Sequence, residues 1–326
     1  MNEAPRRILN EMIIPEKLNR GDKVAIISPA SSVRQEFIDG AVAFFEAQGF
    51  EPFVAPHANG PADGSFAAPL SDRLSDLLTV WQMPEVKAVV CSRGGYGAAH
   101  LLPLIPGELL RENPKWLVGF SDISALHALS LSQGVASIHG PMTRHLNDAA
   151  PEAAALMMIL RGEGMPAYEW NLRDGGNDCA GVEANRIGSA EGRLAGGNVA
   201  VLNGLAATPF DLFGRALSED TILFIEDIAE PVYKIERVLC RLWMQGVFAR
   251  LKGLLVGRFT AYESDRKYPS MEAMIHNFLA DRGLDGFPVA YNFPAGHIEG
   301  NMPLVEGGKV CLEVSEEAAR LMPLPA

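Results

Sequence analysis

The first half of the chain alternates short apolar runs with segments of helical periodicity, and this alternation constrains the fold most. The runs KVAIISPAS, FEPFVAP, VKAVVCS and KWLVGF read as buried strands. Between them, QEFIDGAVAFFEAQG and SDRLSDLLTVWQM each place apolar residues on one helical face. Strands that alternate with helices predict a parallel sheet covered by helices, which is a Rossmann-like α/β fold. Such sheets bind ligands at the carboxyl ends of their strands.

The 326 residues are too many for one ordinary core, so a second domain is expected. A stretch rich in Gly, Asn and Asp predicts a linker at 171–190, between a Rossmann-like domain at 1–170 and a C-terminal domain at 191–326. The pattern after the linker is mixed, with the strand TILFIED, the helical segment PVYKIERVLCRLWMQG and a hairpin-like MPLVEGGKVCLEV. The C-terminal domain is therefore predicted to be mixed α/β.

Composition and motif spacing exclude several classes of function. A formal net charge of -12 argues against a nucleic-acid partner. No apolar stretch is long enough to span a bilayer and the cysteines form no CxxC pair, so we expect a cytoplasmic protein with no membrane partner. The histidines and acids show no metal-binding spacing. The turn CSRGGYGAAH lacks the third glycine of a dinucleotide fingerprint, so no nicotinamide, flavin or other cofactor is expected.

Ser121 stands between a strand and a helix in the stretch KWLVGFSDISALHAL. A serine at that place is most often a helix N-cap. It also ends a buried strand as a nucleophile elbow does, and Gly119 leaves room for a tight corner. The full G-x-S-x-G pattern is absent, because Ile123 stands where the second glycine would be. The residues alone leave both interpretations open.

The glycines of CSRGGYGAAH could expose backbone N–H groups beside a nucleophile, or they could form a plain turn. A nucleophilic serine also needs a base and an acid that orients the base. Glu226 closes the apolar strand TILFIED, and His297 lies in the loop NFPAGHIEGN. His139 in SIHGPM is a competing base, since it also ends a strand.

Taken together, these segments make the chain similar to the LD-carboxypeptidase family, the murein tetrapeptide carboxypeptidases, which also includes microcin C immunity proteins. The resemblance rests on SPAS, SRGGYGA, GFSDISALH, HGPM, EGRLAGGN, LFIEDIAEPVYKIER, GLLVGRF and FPAGH, which occur in family order from about Lys23 to Val314. Eight motifs in order make the match specific.

The resemblance implies a Ser-Glu-His triad of Ser121, Glu226 and His297. It implies an oxyanion hole made by the backbone N–H groups of Gly95 and Asp122, and it leaves a capping role to the Asp122 side chain. It also implies a Rossmann-like N-terminal domain that carries the serine and a C-terminal, swivelling β-barrel-like domain that carries the other two residues. The active site would lie at the domain junction, and most members are homodimers.

The activity that the resemblance implies is that of a serine carboxypeptidase without a cofactor, which cleaves the L,D-amide bond of a murein tetrapeptide and releases the terminal D-alanine for cell-wall recycling. Arg93 is expected to bind the terminal carboxylate of this small peptide substrate. Gly94 and Tyr96 of the same turn are expected to contact the substrate as well.

Two other functions remain open from the sequence. An immunity hydrolase of the microcin C type would keep the triad and cleave aminoacyl or peptidyl nucleotides, which such members stack on an aromatic residue in the loop before the catalytic histidine. The chain between Gly257 and Tyr291 contains no tryptophan, which weighs against that substrate. Its aromatics there, counted as lying outside strands, are Phe259, Tyr262, Tyr268, Phe278 and Phe287. A non-catalytic ligand-binding module would not need the three triad residues to converge.

Overall fold

The computed structural model describes residues 12–60, 62–171, 185–217 and 220–325. The chain forms two compact units. The N-terminal unit runs to Met165 and also takes in Gly300–Gly307 from late in the sequence. The C-terminal unit contains Pro166–Glu299 and the segment from Gly308 onward. Among the described residues, no helix is long and apolar enough to cross a membrane.

The N-terminal unit is built around a six-stranded sheet in the order β11-β5-β4-β3-β1-β2. Five of its strands are parallel, as the alternation predicts, and β11 pairs antiparallel with β5 at one edge. Its strands are β1 (Lys23–Ile27), β2 (Glu51–Val54), β3 (Val86–Cys91), β4 (Trp116–Gly119), β5 (Ser137–His139) and β11 (Leu304–Glu306). Its helices are α1 (Gln35–Ala47), α2 (Leu70–Gln82), α3 (Leu109–Glu112), α4 (Ser124–Ser132) and α5 (Pro151–Leu160).

The core of this unit explains why the strands read as unbroken apolar runs. The side chains of β1, β3 and β4 are buried along most of their length, because helices cover both faces of a parallel sheet. Helix α1 buries Ile38, Ala41, Phe44 and Phe45, the face that its periodicity predicts. The carboxyl ends of these strands therefore form a rigid edge of the sheet.

The C-terminal unit is built around a seven-stranded mixed sheet in the order β10-β9-β8-β7-β12-β13-β6. Strands β7, β8, β9 and β10 are parallel, and β12, β13 and β6 are antiparallel to their neighbours. The strands are β6 (Tyr168–Asn171), β7 (Gly188–Asn198), β8 (Thr221–Ile228), β9 (Leu251–Thr260), β10 (Val289–Ala290), β12 (Lys309–Val314) and β13 (Ala318–Pro323). The helices are α6 (Val199–Gly204), α7 (Val232–Met244) and α8 (Met271–Ala280).

The two edge strands of this sheet approach each other. The indole N–H of Trp170, in β6, donates to the backbone oxygen of Tyr291, which follows β10, at 2.9 Å. The rings of Tyr168 and Trp170 also lie 5.4 and 5.1 Å from the ring of Phe293. The sheet therefore curls, in agreement with the β-barrel-like fold that the family resemblance implies.

The predicted hairpin in MPLVEGGKVCLEV is wrong in its pairing. Both strands exist, but Leu304–Glu306 pairs with β5 in the N-terminal unit, whereas Lys309–Val314 pairs with β7 and β13. Alternation and a turn signal identify strands, and they do not determine which open sheet edge each strand joins.

The predicted linker at 171–190 falls mostly on residues 172–184, which lie outside the described residues. Its described ends belong to the C-terminal unit. Asn171 ends β6, the Oδ1 atom of Asn185 accepts from the Tyr291 N–H at 2.8 Å, and β7 begins at Gly188.

Gly196 provides a test of how closely β7 and β8 approach. A Cβ atom at this position would overlap the backbone oxygen of Phe224 on β8, so Gly196→Ala should lower the free energy of unfolding by about 2 kcal/mol or more. Gly204→Ala is the matched control, because a Cβ atom there meets nothing within 4 Å. Urea unfolding of both variants measures the difference. Equal stability of Gly196→Ala and the wild type would contradict this packing.

Candidate active site

Ser121 has the backbone of a nucleophile elbow. It follows β4 with only Phe120 between them, and its φ is +65°, a left-handed value that is strained for a residue with a Cβ atom. A single 3-10 turn, Ser121–Ile123, then leads into α4. An N-cap residue normally has extended backbone angles, which a φ of +65° does not match. The backbone thus favours the nucleophile interpretation over the cap.

The glycine turn after β3 lies directly against Ser121. A Cβ atom on Gly94 would stand 2.8 Å from the Cβ atom of Ser121 and 3.1 Å from the backbone nitrogen of Asp122. Only glycine allows this approach without movement of one of the two segments. The structure therefore brings together two features that the sequence places 27 positions apart.

The two N–H groups predicted to form the oxyanion hole both occur at this contact. Within the described residues, neither the Gly95 N–H nor the Asp122 N–H donates a hydrogen bond to another group. The neighbouring Tyr96 N–H is already taken, because it donates to the Oγ atom of Ser31 at 3.1 Å. Backbone donors that no protein group uses, next to a strained serine, can receive negative charge on a bound carbonyl oxygen.

The Asp122 side chain caps a different turn from the one expected. Its Oδ2 atom accepts from the Ala98 N–H at 2.8 Å. The expectation that it caps the helix at Ser121 is therefore wrong. Burial raises the pKa of Asp122, and the Ala98 N–H and the positive charge of Arg73 oppose that rise. The carboxylate ties the glycine turn to the serine's own helix.

His127 is a supporting residue that the sequence analysis does not single out. Its Nε2 atom lies 2.9 Å from the backbone oxygen of Gly119, which can only accept, so Nε2 carries the proton. Burial lowers the pKa of His127 to about 4, so the ring is neutral and its Nδ1 atom accepts from the Ser137 hydroxyl at 2.8 Å. The ring thus holds the end of β4, two residues before Ser121. Only its place in GFSDISALH pointed to such a role.

His139, the competing base, is fully buried in β5. Its ring packs 5.9 Å from the ring of Phe120 and 6.4 Å from that of His127. A base must exchange protons with substrate or solvent, and a core position gives poor access to either. This environment weighs against His139 as the base.

Glu226 and His297 form a close pair in the C-terminal unit. The Oε2 atom of Glu226 lies 2.8 Å from the Nδ1 atom of His297, and the carboxylate is fully buried whereas the ring is 15 % exposed. Because a carboxylate only accepts, Nδ1 carries a proton, and a ring that carries this proton alone has its lone pair on Nε2. The pair thus has the acid-base arrangement that orients an imidazole for proton transfer.

The loop before His297 is fitted to this carboxylate. A Cβ atom on Gly296 would stand 3.0 Å from the Oε2 atom of Glu226, and Gly296 has a φ of +122°. Backbone bonds hold the loop along β9: the Arg258 N–H donates to Ala295 at 2.9 Å, and the Phe293 N–H donates to Val256 at 3.1 Å. The FPAGH motif therefore encodes a close backbone approach as well as the histidine.

Asp227, beside Glu226, is a second buried carboxylate that sequence reasoning did not single out. It accepts from the Asn198 side chain at 3.1 Å and from the backbone N–H groups of Ala200 and Ile228 at 2.8 Å each. Burial, together with the charge of Glu226, raises the pKa of Asp227 to about 6. Its bonds anchor the end of β8 to the start of α6.

The predicted substrate contacts lie on the same turn as Gly95. Arg93 is exposed, and its Nη1 atom donates to the backbone oxygen of Ser32 at 3.0 Å. Tyr96 is 57 % exposed, with its ring 5.4 Å from Phe66 and 5.2 Å from His100. Both side chains are accessible on this turn. Across the described residues, no group of three His, Cys, Asp or Glu side chains could hold a metal ion.

Comparisons with known proteins identify the family. The model of the LD-carboxypeptidase N-terminal domain matches residues 24–140, and that of the LD-carboxypeptidase C-terminal domain matches residues 191–312. A probable murein peptide carboxypeptidase of Bacillus subtilis is 32% identical over 94% of this chain and 93% of its own length. The murein tetrapeptide carboxypeptidase of Pseudomonas aeruginosa is 30% identical over 89% of this chain and 93% of its own.

A solved structure supports the fold. An MccF-like protein from Bacillus anthracis aligns with a TM-score of 0.79 at 24% identity, over 96% of this chain and 100% of that one. The mixed α/β architecture with a parallel sheet in the N-terminal region is thus shared with this structure.

Gly94→Ala tests the contact between the glycine turn and Ser121. The added methyl group should push the turn from the serine and lower the rate at which a fluorophosphonate modifies Ser121 by roughly 10²-fold, the size expected from misplacing one oxyanion donor. Gly107→Ala is the control, since a Cβ atom there meets nothing within 4 Å. Mass spectrometry of the intact protein follows the reaction. An unchanged rate in Gly94→Ala would rule out this role for the contact.

Proposed function

The chain belongs to the LD-carboxypeptidase family, and from this premise we propose that it is a serine carboxypeptidase that releases the terminal D-alanine from murein tetrapeptides. The cleaved amide joins the L-centre of diaminopimelate or lysine to D-alanine. The observation that carries the proposal is the left-handed backbone of Ser121 beside the turn of Gly94 and Gly95. Strain at one residue is retained where a site needs a side chain in an otherwise costly position.

In the proposed reaction, the Ser121 Oγ atom attacks the carbonyl carbon of the third residue while Nε2 of His297 takes its proton. Glu226 stabilises the resulting imidazolium at Nδ1. The negative oxygen of the tetrahedral intermediate accepts from the N–H groups of Gly95 and Asp122. The C–N bond then breaks, His297 returns the proton to the amine, and D-alanine leaves. Water repeats the sequence on the ester and frees the tripeptide and the serine.

Recognition of a free terminal carboxylate fits the exposed Arg93. One of its guanidinium nitrogens is held by the Ser32 backbone oxygen, which fixes the direction of the side chain. A fixed guanidinium presents the remaining donors in a plane that suits a carboxylate. Tyr96 offers a rigid ring face on the same turn, because Phe66 and His100 pack against it. We assign these two residues to substrate binding.

The aromatic residues between Gly257 and Tyr291 weigh against the alternative of an aminoacyl-nucleotide hydrolase. Phe259, Tyr268, Phe278 and Phe287 are buried in the C-terminal unit, so their rings are not available to a nucleobase. Phe259 also lies within β9, which differs from its expected place outside a strand. Tyr262 is half-buried, and its hydroxyl accepts from the Met271 N–H at 3.0 Å. A stacking platform of the kind expected for that substrate therefore has little support in this segment.

We further propose that the protein works in the cytoplasm as a homodimer in the recycling of cell-wall peptides, as the family resemblance implies. Light scattering coupled to size-exclusion chromatography measures the oligomeric state. A mass of one chain, 35.2 kDa, would contradict the dimer.

The first prediction from this proposal concerns stereochemistry. The protein should release D-alanine from a tetrapeptide with an L,D terminal bond and leave the L,L analogue largely intact, because one inverted centre misplaces the carboxylate or the scissile carbonyl. Chromatography of the reaction products against defined standards measures both rates. Equal rates on the two peptides would contradict the proposed specificity. Absence of any release, while an aminoacyl nucleotide is cleaved, would favour the immunity-type hydrolase.

The second prediction ranks the triad. Ser121→Ala and His297→Ala should each lower kcat by roughly 10⁴- to 10⁶-fold, because they remove the nucleophile and the proton carrier. Glu226→Gln should cost the same or less, and combining it with Ser121→Ala should add little, since residues that act as a unit are not additive. Turnover of the tetrapeptide by each purified, folded variant is the measurement.

His139→Phe is the matched control for the base, because it keeps a ring at the buried position and removes the titratable nitrogens. It should keep kcat within about tenfold of the wild type. Near-normal turnover by His297→Ala together with loss of turnover in His139→Phe would reassign the base. Normal turnover by all three triad variants would indicate a different catalytic machinery.

A further inference from the structure

Arg73 is a buried charged residue that the proposed reaction does not use. It lies near the start of α2 and is 2 % exposed. Its guanidinium donates three hydrogen bonds, all to backbone oxygens: Nε to Ala68 at 3.0 Å, and Nη1 to Pro29 at 2.6 Å and to Gly97 at 3.1 Å. Burial of a full positive charge is costly, so its retention at this place calls for a reason.

We propose that Arg73 is a positioning residue that holds the glycine turn so that the Gly95 N–H is presented to the oxyanion. The proposal rests on the function proposed above for the assignment of Gly95 as an oxyanion donor. Arg73 itself touches no reacting atom in this scheme and acts through the turn.

The peptide unit that joins Gly97 to Ala98 is gripped at both ends. Its carbonyl oxygen accepts from Arg73, and its N–H donates to the Oδ2 atom of Asp122 at 2.8 Å. Arg73 therefore faces one end of this peptide, and the serine's own helix holds the other through Asp122. The charge of Arg73 also lowers the pKa of Asp122 against the larger effect of burial, which favours the ionised carboxylate that accepts from Ala98.

The beginning of the turn is held separately by Ser31. The Ser31 N–H donates to the Gly94 oxygen at 3.1 Å, and its Oγ atom accepts from the Tyr96 N–H at 3.1 Å. Gly95 lies between these two tethers in sequence, and its N–H belongs to the peptide whose carbonyl, that of Gly94, accepts from Ser31. The turn keeps one conformation only if its C-terminal end, at Gly97, is fixed as well, and Arg73 holds that end together with Asp122.

The shape of the guanidinium explains why arginine suits this position. The three oxygens that it binds come from three segments: the end of the β1 strand region, the residues before α2, and the glycine turn. A planar fork can donate to all three from two separate nitrogens, whereas an ammonium donates from one nitrogen only. The guanidinium carbon also lies 4.7 Å from the ring centre of Phe66, and that ring contacts Tyr96. Arg73 thus also supports the proposed substrate contact.

Two variants test the proposal. Arg73→Lys keeps the charge and loses the fork, and Arg73→Met removes the donors and keeps much of the volume. Each should lower kcat for tetrapeptide hydrolysis by roughly 10²-fold, the size measured for loss of one oxyanion donor, with KM changed less than about threefold. The rate of Ser121 modification by a fluorophosphonate should fall in parallel.

Lys115→Met is the matched control. Lys115 is also buried in the N-terminal unit, and its Nζ atom donates to the backbone oxygens of Met83 and Val86 at 2.6 and 2.7 Å. It precedes β4 and therefore lies at the opposite end of that strand from Ser121. Its loss should lower the melting temperature and leave kcat and the modification rate unchanged.

Folded Arg73→Lys and Arg73→Met proteins that keep kcat and the modification rate within about threefold of the wild type would overturn the proposal. So would failure of both variants to fold while Lys115→Met folds, because Arg73 would then be structural. A loss of kcat in Lys115→Met as large as that in the Arg73 variants would also overturn the proposal. If the wild-type protein releases no D-alanine, the proposed substrate fails, and the modification rate of Ser121 alone still decides the role of Arg73.

Discussion

The left-handed backbone of Ser121 is the constraint on which the account of the site depends. A serine with a φ of +65° is unfavourable by itself, so neighbouring groups must hold it. Two contacts do so. His127 donates to the Gly119 carbonyl, two residues before the serine, and the absence of a side chain at Gly94 allows the glycine turn to pack against Ser121. The end of β4 is rigid because the strand is buried among parallel neighbours. The unfavourable backbone of Ser121 is thus held by contacts along the carboxyl edge of the sheet.

In the C-terminal unit, buried contacts keep a carboxylate and an imidazole together. Glu226 loses its water on burial, and the Nδ1–H of His297 replaces part of that hydration with a directed bond. Asp227 accepts from the Asn198 side chain and from the Ala200 N–H, and these bonds tie the end of β8 to α6. Both units therefore use the same principle: a strand ends in polar groups, and buried bonds to the backbone fix where those groups lie.

Much of the fold could be predicted from the sequence, because strand and helix periods differ and the parallel sheet buries whole runs such as VKAVVC. Ser121, Glu226 and His297 could be singled out because they end or follow such runs and match family motifs. The contact of Glu226 with His297 adds a structural reason for that choice, while the catalytic roles stay predictions.

Other features could not be predicted, because they depend on backbone contacts that leave no pattern in the sequence. Arg73 sits in an ordinary amphipathic helix, and its partners are carbonyl oxygens that any residue carries. Asp122 caps the turn at Ala98 and not its own helix, because the glycine turn folds over the start of that helix. The segment Leu304–Glu306 joined β5 because that sheet edge was open, which alternation along a single strand does not reveal.

The central claim, that Ser121 is the nucleophile, is tested most directly by locating the group whose modification stops turnover. The protein is treated with a fluorophosphonate until release of D-alanine ends, and peptide mapping by mass spectrometry then identifies the modified side chain. The account predicts one phosphonyl group per chain, on Ser121, in proportion to the activity lost. Complete inactivation with Ser121 unmodified, or full modification of Ser121 with activity intact, would contradict it.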